Sequence, residues 1–231
     1  MDVDWDCEVT WHISDVNLGC RVGLFSAISW FFSQVTEGII LEDDCVPEPS
    51  FFPFCEELLA RYRDDQRIFG ISGNNFTQRR PADSSYYFLK TTHIWGWASW
   101  RDRWQLVDLS AKAWPALSAS EKMGSFLKEP HTGAFWSHIL EDLHRGQGDT
   151  WSGSIIYTML LHDMLGIHPK DNLVSNIGFG ATGVHHTPED HWLANVPTLP
   201  MRQPLRHPRT VGLSVDYDRY VEEVWRIPPI S

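Results

Sequence analysis

The sequence has few basic residues and no long apolar run. Its 231 residues include 19 Lys and Arg against 30 Asp and Glu, which gives a net charge of −11. Binding to the phosphate backbone of nucleic acids needs clustered Lys and Arg, so this charge balance argues against a nucleic-acid partner. No apolar stretch approaches the roughly 20 residues that a membrane-spanning helix needs, so we expect no transmembrane segment.

Cysteine is also scarce, and its spacing does not favour a zinc site. The four cysteines are Cys7, Cys20, Cys45 and Cys55, and no two of them form a Cys-x-x-Cys pair. The sequence shows no signal-peptide pattern. We therefore expect free thiols and a reducing, cytoplasmic location.

The most informative segment is a short apolar run that ends in three acids. Residues 39–41 are Ile-Ile-Leu and fit a buried strand, and Glu42, Asp43 and Asp44 follow directly. Adjacent carboxylates repel one another and are costly to desolvate at the end of a buried strand. A divalent cation such as Mg²⁺ or Mn²⁺ would relieve that cost, because such ions prefer oxygen ligands. The alternative is a solvated acidic turn.

Apolar periodicity and turn residues predict one domain that mixes helices and short strands. The first three predicted elements are a strand at 7–13, a helix at 20–33 and a strand that begins at Gly38. This is the order of a crossover unit of a parallel sheet. We further predict helices at 51–63 (capped by Ser50), 135–144 and 150–165, strands at 68–72, 86–89 and 167–174, short helices and loops at 108–134, and a Gly-rich loop at 176–180. We predict that the domain comprises residues 1–187. A Pro-rich extension at 188–231 follows it and packs on the surface or is partly disordered.

Carboxylates and one histidine are the candidate chemical groups. Asp44 is the preferred metal ligand, while Glu42 and Asp43 could accept hydrogen bonds from a sugar or ribose hydroxyl. His185 could complete the metal shell, or it could be a surface histidine among 11 in the chain. Asp149 precedes a predicted helix, where it would be either an N-cap or a general base.

Two further segments could contact a sugar nucleotide. Trp95, Gly96 and Trp97 could form the floor of a sugar site, although a packed aromatic core is an equal alternative. Asn17 and Arg21 stand at the start of a predicted helix, which is a position suited to phosphate binding.

Taken together, these segments resemble bacterial glycosyltransferase family 2-like proteins, which are nucleotide-diphospho-sugar transferases of the GT-A fold. The motif order is also similar to that of eukaryotic N-acetylglucosaminyltransferase I. The resemblance runs from about residue 3 to residue 186. The segments that carry it are Asn-Leu-Gly-Cys at 17–20, Gly-Ile-Ile-Leu-Glu-Asp-Asp-Cys at 38–45, Ile-Ser-Gly-Asn-Asn at 71–75, His-Ile-Trp-Gly-Trp-Ala-Ser-Trp at 93–100, Asp-Thr-Trp at 149–151 and Asn-Leu-Val-Ser-Asn-Ile-Gly-Phe-Gly at 172–180.

The resemblance implies a role for each matching residue. Asp44 would be the last Asp of a DxD-type motif and would bind manganese on the donor diphosphate. Glu42 and Asp43 would contact the donor sugar and ribose, His185 would lie near the metal and phosphates, and Asp149 would be the catalytic base. The implied fold is an α/β, GT-A-like (Rossmann-like) mixed sheet flanked by helices.

The chain departs from the family pattern in two places. It starts after the N-terminal strands that shape the nucleotide pocket in the family, so the implied GT-A domain is N-terminally truncated. A homo-oligomer or another partner could complete the sheet. The second departure is Ser-Gly-Ser-Ile at 152–155, where many relatives carry an Asp or Ala, an aromatic residue and a second Trp.

The resulting hypothesis is a metal-dependent glycosyltransferase that moves a sugar from a nucleotide-diphosphate donor to a hydroxyl acceptor with inversion, using Mn²⁺ or Mg²⁺. The alternative is a non-catalytic remnant that binds a sugar, a nucleotide or a protein. A phosphohydrolase would need more acids at several strand ends than the sequence provides.

Overall fold

The computed structural model of the protein describes residues 3–77, 83–126, 130–147, 150–179 and 191–224. In chain order the helices are α1 Gly19–Gln34, α2 Phe51–Tyr62, α3 Arg101–Trp104, α4 Trp114–Ser118, α5 Glu121–Phe126, α6 Pro130–His144, α7 Ser152–His162 and α8 Val215–Val224. The strands are β1 Glu37–Ile40, β2 Cys45–Pro47, β3 Ile68–Ser72, β4 Tyr86–Leu89, β5 Trp97–Trp100, β6 Leu165–Pro169 and β7 Val174–Asn176.

Five of these strands form a mixed sheet in the order β1-β5-β3-β6-β4. Strands β3 and β6 are parallel, while β5 is antiparallel to both β1 and β3, and β4 is antiparallel to β6. Strands β1, β3 and β6 therefore run in the same direction, and their carboxyl ends meet at one edge of the sheet. A second, two-stranded sheet pairs β2 with β7. The predicted mixed α/β sheet flanked by helices is confirmed.

Helices cover both faces of the main sheet. The buried stripe of α2 includes Phe54, Leu58 and Leu59 and packs on one face. On the opposite face, α1 and α7 pack against Phe69 and Trp97. A side chain at Gly38 would lie 2.4 Å from the ring of Phe31, so α1 can approach β1 this closely because position 38 is glycine.

The C-terminal region packs against the sheet in its described part. Met201 and Leu205 are buried in the cluster that contains α2. At the β4 edge, Ser214 donates its backbone N–H to the carbonyl of Phe88 at 2.9 Å, and Asp218 pairs with Lys90 at 2.8 Å. This outer strand is therefore covered by residues that follow it in the chain.

Several sequence predictions need correction. The segment 7–13 forms no strand and is exposed, so the predicted strand-helix-strand crossover unit is wrong at its first element. Alternation indicates a possible strand, but a strand also needs a neighbour to pair with. Ser50 is the N-cap residue of α2 but makes no capping bond, since its hydroxyl contacts the Glu48 carboxylate instead. The strand predicted at 167–174 is two strands, β6 and β7, which lie in different sheets.

The described residues contain no helix that is both long enough and apolar enough to cross a membrane.

We predict that burial of His168 on β6 makes the fold acid-sensitive. Its ring nitrogens lie 3.3 Å from the carbonyl of Asn74 and 3.1 Å from that of Thr91, and burial lowers its pKa from 6.5 to about 4. Below pH 6.5 the unfolded chain binds a proton that the folded chain does not, so stability falls as the pH falls toward 4. Between pH 7.5 and pH 5 this residue alone should cost about 2 kcal/mol.

Urea unfolding at the two pH values tests this prediction. The His168→Gln variant should lose about 2 kcal/mol less than the parent chain over the same interval. His162→Gln is the matched control, since His162 is exposed at the end of α7. Equal pH dependence in the parent chain and the His168→Gln variant would contradict the prediction.

Candidate active site

The acidic segment lies at the sheet edge where β1, β3 and β6 end. There, Gly73 donates its N–H to the carbonyl of Gly96 at 2.8 Å and accepts a hydrogen bond from the N–H of Leu173 at 2.8 Å. The start of β5 and the loop before β7 are therefore tied to the end of β3. Ligands of open α/β sheets bind at the carboxyl ends of strands, so this edge is the natural place for a site.

Glu42, Asp43 and Asp44 form a tight turn between β1 and β2. The N–H of Cys45 donates to the carbonyl of Glu42 at 3.1 Å, which closes the turn. The carbonyl of Asp44 accepts the N–H of Ile177 at 2.9 Å. The turn is thus fixed both by its own bond and by the residue that follows β7.

The side chain of Asp44 lies directly against Gly178. A Cβ atom at position 178 would come within 2.1 Å of Oδ2 of Asp44, which no side chain could tolerate without displacing the carboxylate. Gly178 in turn donates its N–H to Oδ1 of Asn176 at 2.8 Å. Glycine at this position therefore creates the space in which the Asp44 carboxylate sits.

Burial, together with the neighbouring carboxylates, raises the pKa of Glu42. Its pKa rises from 4.5 to about 7, first because Glu42 is partly buried and then because the charges of Asp44 and Asp43 are close. A cation at this turn would stabilise the charged form of all three acids.

The described residues contain no group of three or more His, Cys, Asp or Glu side chains that could hold an ion. Mg²⁺ often binds to proteins through only one or two carboxylates together with substrate phosphates, and Asp44 is a carboxylate of the kind that such a site uses. Metal binding by Asp44 stays a prediction. His185 lies outside the described residues, so its role stays a prediction.

A cleft of about 440 Å³ opens beside the acidic turn. Its walls are apolar residues of α1 and β1, and its rim carries Glu42, Asp43 and Trp151. Asp149, the predicted base, lies outside the described residues. Trp151, two positions further along the chain, lines the cleft.

Aromatic side chains gather around Phe179, which follows the Gly178 that lies against Asp44. We call this group the aromatic surface; its members are Phe76, His93, Trp95, Phe179, His191 and Trp192. The ring of Trp95 lies 5.6 Å from that of Phe179, which follows Gly178. Trp192 is about half exposed, so part of the group faces solvent. Partly exposed rings of this kind can stack on sugars.

Sequence reasoning found one member of this surface and missed most of the others. Trp95 was expected to contact a sugar and is partly exposed. Trp97 was expected to do the same, but it is only 1% exposed and packs against Phe69, Trp104 and Trp151. Its ring is part of the core and is not accessible to a ligand.

The two residues predicted to bind phosphate make internal contacts. Arg21 donates to the carbonyls of Leu109 at 2.7 Å and Leu143 at 3.3 Å, which ties α1 to more distant segments. Oδ1 of Asn17 accepts the N–H of Gly19 at 2.8 Å and shapes the start of α1. Both residues thus have structural partners, and a donor contact by either one stays a prediction.

No family model matches this sequence, and a comparison with curated proteins finds none that is significantly similar. The fold and the geometry of the acidic turn therefore provide the basis for a functional argument.

Proposed function

We propose that the protein is a metal-dependent glycosyltransferase that moves a sugar from a nucleotide-diphosphate donor to a hydroxyl acceptor. The observation that carries the proposal is the acidic turn at the carboxyl edge of the sheet, where Gly178 makes room for the Asp44 carboxylate. The cleft and the aromatic surface share no residue and provide separate places for donor and acceptor.

In this proposal each part of the site has one task. Asp44 holds the divalent ion, which when bound neutralises charge on the leaving diphosphate. Glu42 and Asp43, at the rim of the cleft, accept hydrogen bonds from donor hydroxyls. Asp149 takes the proton of the acceptor hydroxyl. The acceptor oxygen then bonds to the anomeric carbon as the bond from that carbon to the diphosphate breaks, which inverts the configuration at the anomeric carbon.

The proposal predicts that Asp44→Asn abolishes metal-dependent sugar transfer. The amide keeps the size of the side chain but removes the charge that binds the ion, so transfer should fall on the order of 10²-fold or more. The assay uses Mn²⁺ with UDP-, GDP- and dTDP-linked sugars and a panel of oligosaccharide acceptors. Product is detected by mass spectrometry, and binding of the same donors is measured by calorimetry.

Asp64→Asn is the matched control, because Asp64 is exposed after α2 and away from the turn. It should transfer sugar as well as the parent chain. If Asp44→Asn retained the full Mn²⁺-dependent rate, the assignment of Asp44 would be wrong.

The aromatic surface favours a second candidate function, which is glycan binding without transfer. In that case free oligosaccharides would release heat on binding in the presence of EDTA, and nucleotide sugars with Mn²⁺ would release none. The transferase proposal instead requires that nucleotide sugars release heat on binding in the presence of Mn²⁺.

A further inference from the structure

Within the part of the chain that the structure describes, no strand pairs with the outer edge of β1. Strand β1 pairs with β5 on one side, and the described residues supply no backbone partner on its other side. All four of its residues are partly exposed, whereas every residue of β3, β4 and β5 is buried. The opposite outer strand, β4, is covered by Ser214 and α8. An open edge of this kind is a template for an added strand.

Apolar side chains line the space next to this edge. The cleft beside β1 is walled by Leu24, Ala27, Ile28 and Phe31 of α1. One face of a strand added along β1 would therefore lie against the apolar residues of α1. Alternate residues of such a strand should be apolar.

The segment 7–13, which we call the arm, has this alternation and pairs with no strand among the described residues. Trp11 is 65% exposed and Ile13 is 78% exposed, and both share the odd-numbered face with Val9. His12 stacks on Trp30 at 5.1 Å, so the arm is held on the outside of α1. The structure thus shows an exposed strand-like segment and an open strand edge that do not meet.

We propose that the arm of a second copy of this chain adds to the open edge of β1, and that the exchange is reciprocal. In a two-fold symmetric dimer, the arm of each copy would pair with the β1 edge of the other copy, so the same contact would be made twice. Added strands gain affinity from main-chain hydrogen bonds and specificity from alternate side chains. This contact does not depend on the proposed sugar chemistry.

Sedimentation equilibrium at micromolar concentration tests the proposal. The full chain should have twice the 26.6 kDa mass of one copy. Trp11→Asp places a charge on the apolar face of the arm and should give a monomer. Thr10→Asp, one residue away on the opposite face, is the matched control and should remain a dimer.

Hydrogen exchange gives a second measurement. The amides of residues 38–40 should exchange more slowly as protein concentration rises, and the Trp11→Asp variant should lose this dependence. Circular dichroism should show the same helix content in both chains, because Trp11 is exposed in the single copy. A monomeric full chain, or equal masses for Trp11→Asp and Thr10→Asp, would overturn the proposal. So would protection of β1 that is independent of concentration, since the chain's own arm would then occupy the edge.

Discussion

Replacing Trp97 with alanine should destabilise the protein by about 3–5 kcal/mol. The indole is buried at 1% exposure among Phe69, Trp104 and Trp151, and its removal would leave a cavity between the sheet and α7. Large aromatic side chains lose both their burial and their packing contacts when they are truncated in a core. Urea denaturation followed by circular dichroism measures the loss.

Trp95→Ala is the matched comparison, because Trp95 lies two residues earlier and is partly exposed on the aromatic surface. It should cost about 1 kcal/mol of stability. Under the proposed function it should also weaken oligosaccharide binding, since part of the ring is accessible to solvent. The pair of variants separates a fully buried tryptophan from a partly exposed one. A stable Trp97→Ala protein with reduced glycan binding would reverse this assignment.

Replacing Arg103 with methionine should cost about 3–5 kcal/mol. The side chain is buried, and its guanidinium donates to carbonyls near the end of α2 and at the start of β3. The accepting carbonyls are those of Tyr62, Arg63, Asp65 and Ile68. The same group lies 4.7 Å from the ring of Trp100. Methionine fills similar space but leaves these carbonyls without their donor.

Arg67→Met is the matched control for this change. Arg67 is exposed and pairs with Asp65 at 2.6 Å on the surface, where an ion pair contributes little. Its loss should change the free energy of unfolding by about 0.5 kcal/mol or less. Arg103→Lys should fall between the two, because an ammonium has three donors and no planar fork. Similar unfolding midpoints for Arg103→Met and Arg67→Met would contradict the structural role given to Arg103.

The sequence was sufficient to predict elements whose signals are local. The stripe that includes Phe54 and Leu58 predicted α2, and the residues of β3 and β4 were predicted at their observed bounds. Local signals were not sufficient for the arm. Alternation at 7–13 predicted a strand, but it carries no information about whether a neighbouring strand is present to pair with it. The split of β6 from β7 likewise depends on the distant partner β2.

The candidate site was predictable to a similar degree. The position of the acidic turn followed from the apolar run before Glu42, because the run had to end at a sheet edge. The aromatic surface could not be predicted, since Phe76, Trp95 and Trp192 come from three separate segments. For Trp97, the sequence left open a choice between core and ligand contact that only packing could decide.

The hydrogen bond from Ile177 to the carbonyl of Asp44 has a mechanical consequence. Together with the β2-β7 ladder and the contact at Gly178, it ties the acidic turn to the segment that carries Phe179. Displacement of the Phe179 ring would be transmitted through these contacts toward the Asp44 carboxylate. Under the proposed function, a ligand on the aromatic surface would change the affinity of the acidic turn for its own ligand, and the reverse effect would have the same free energy.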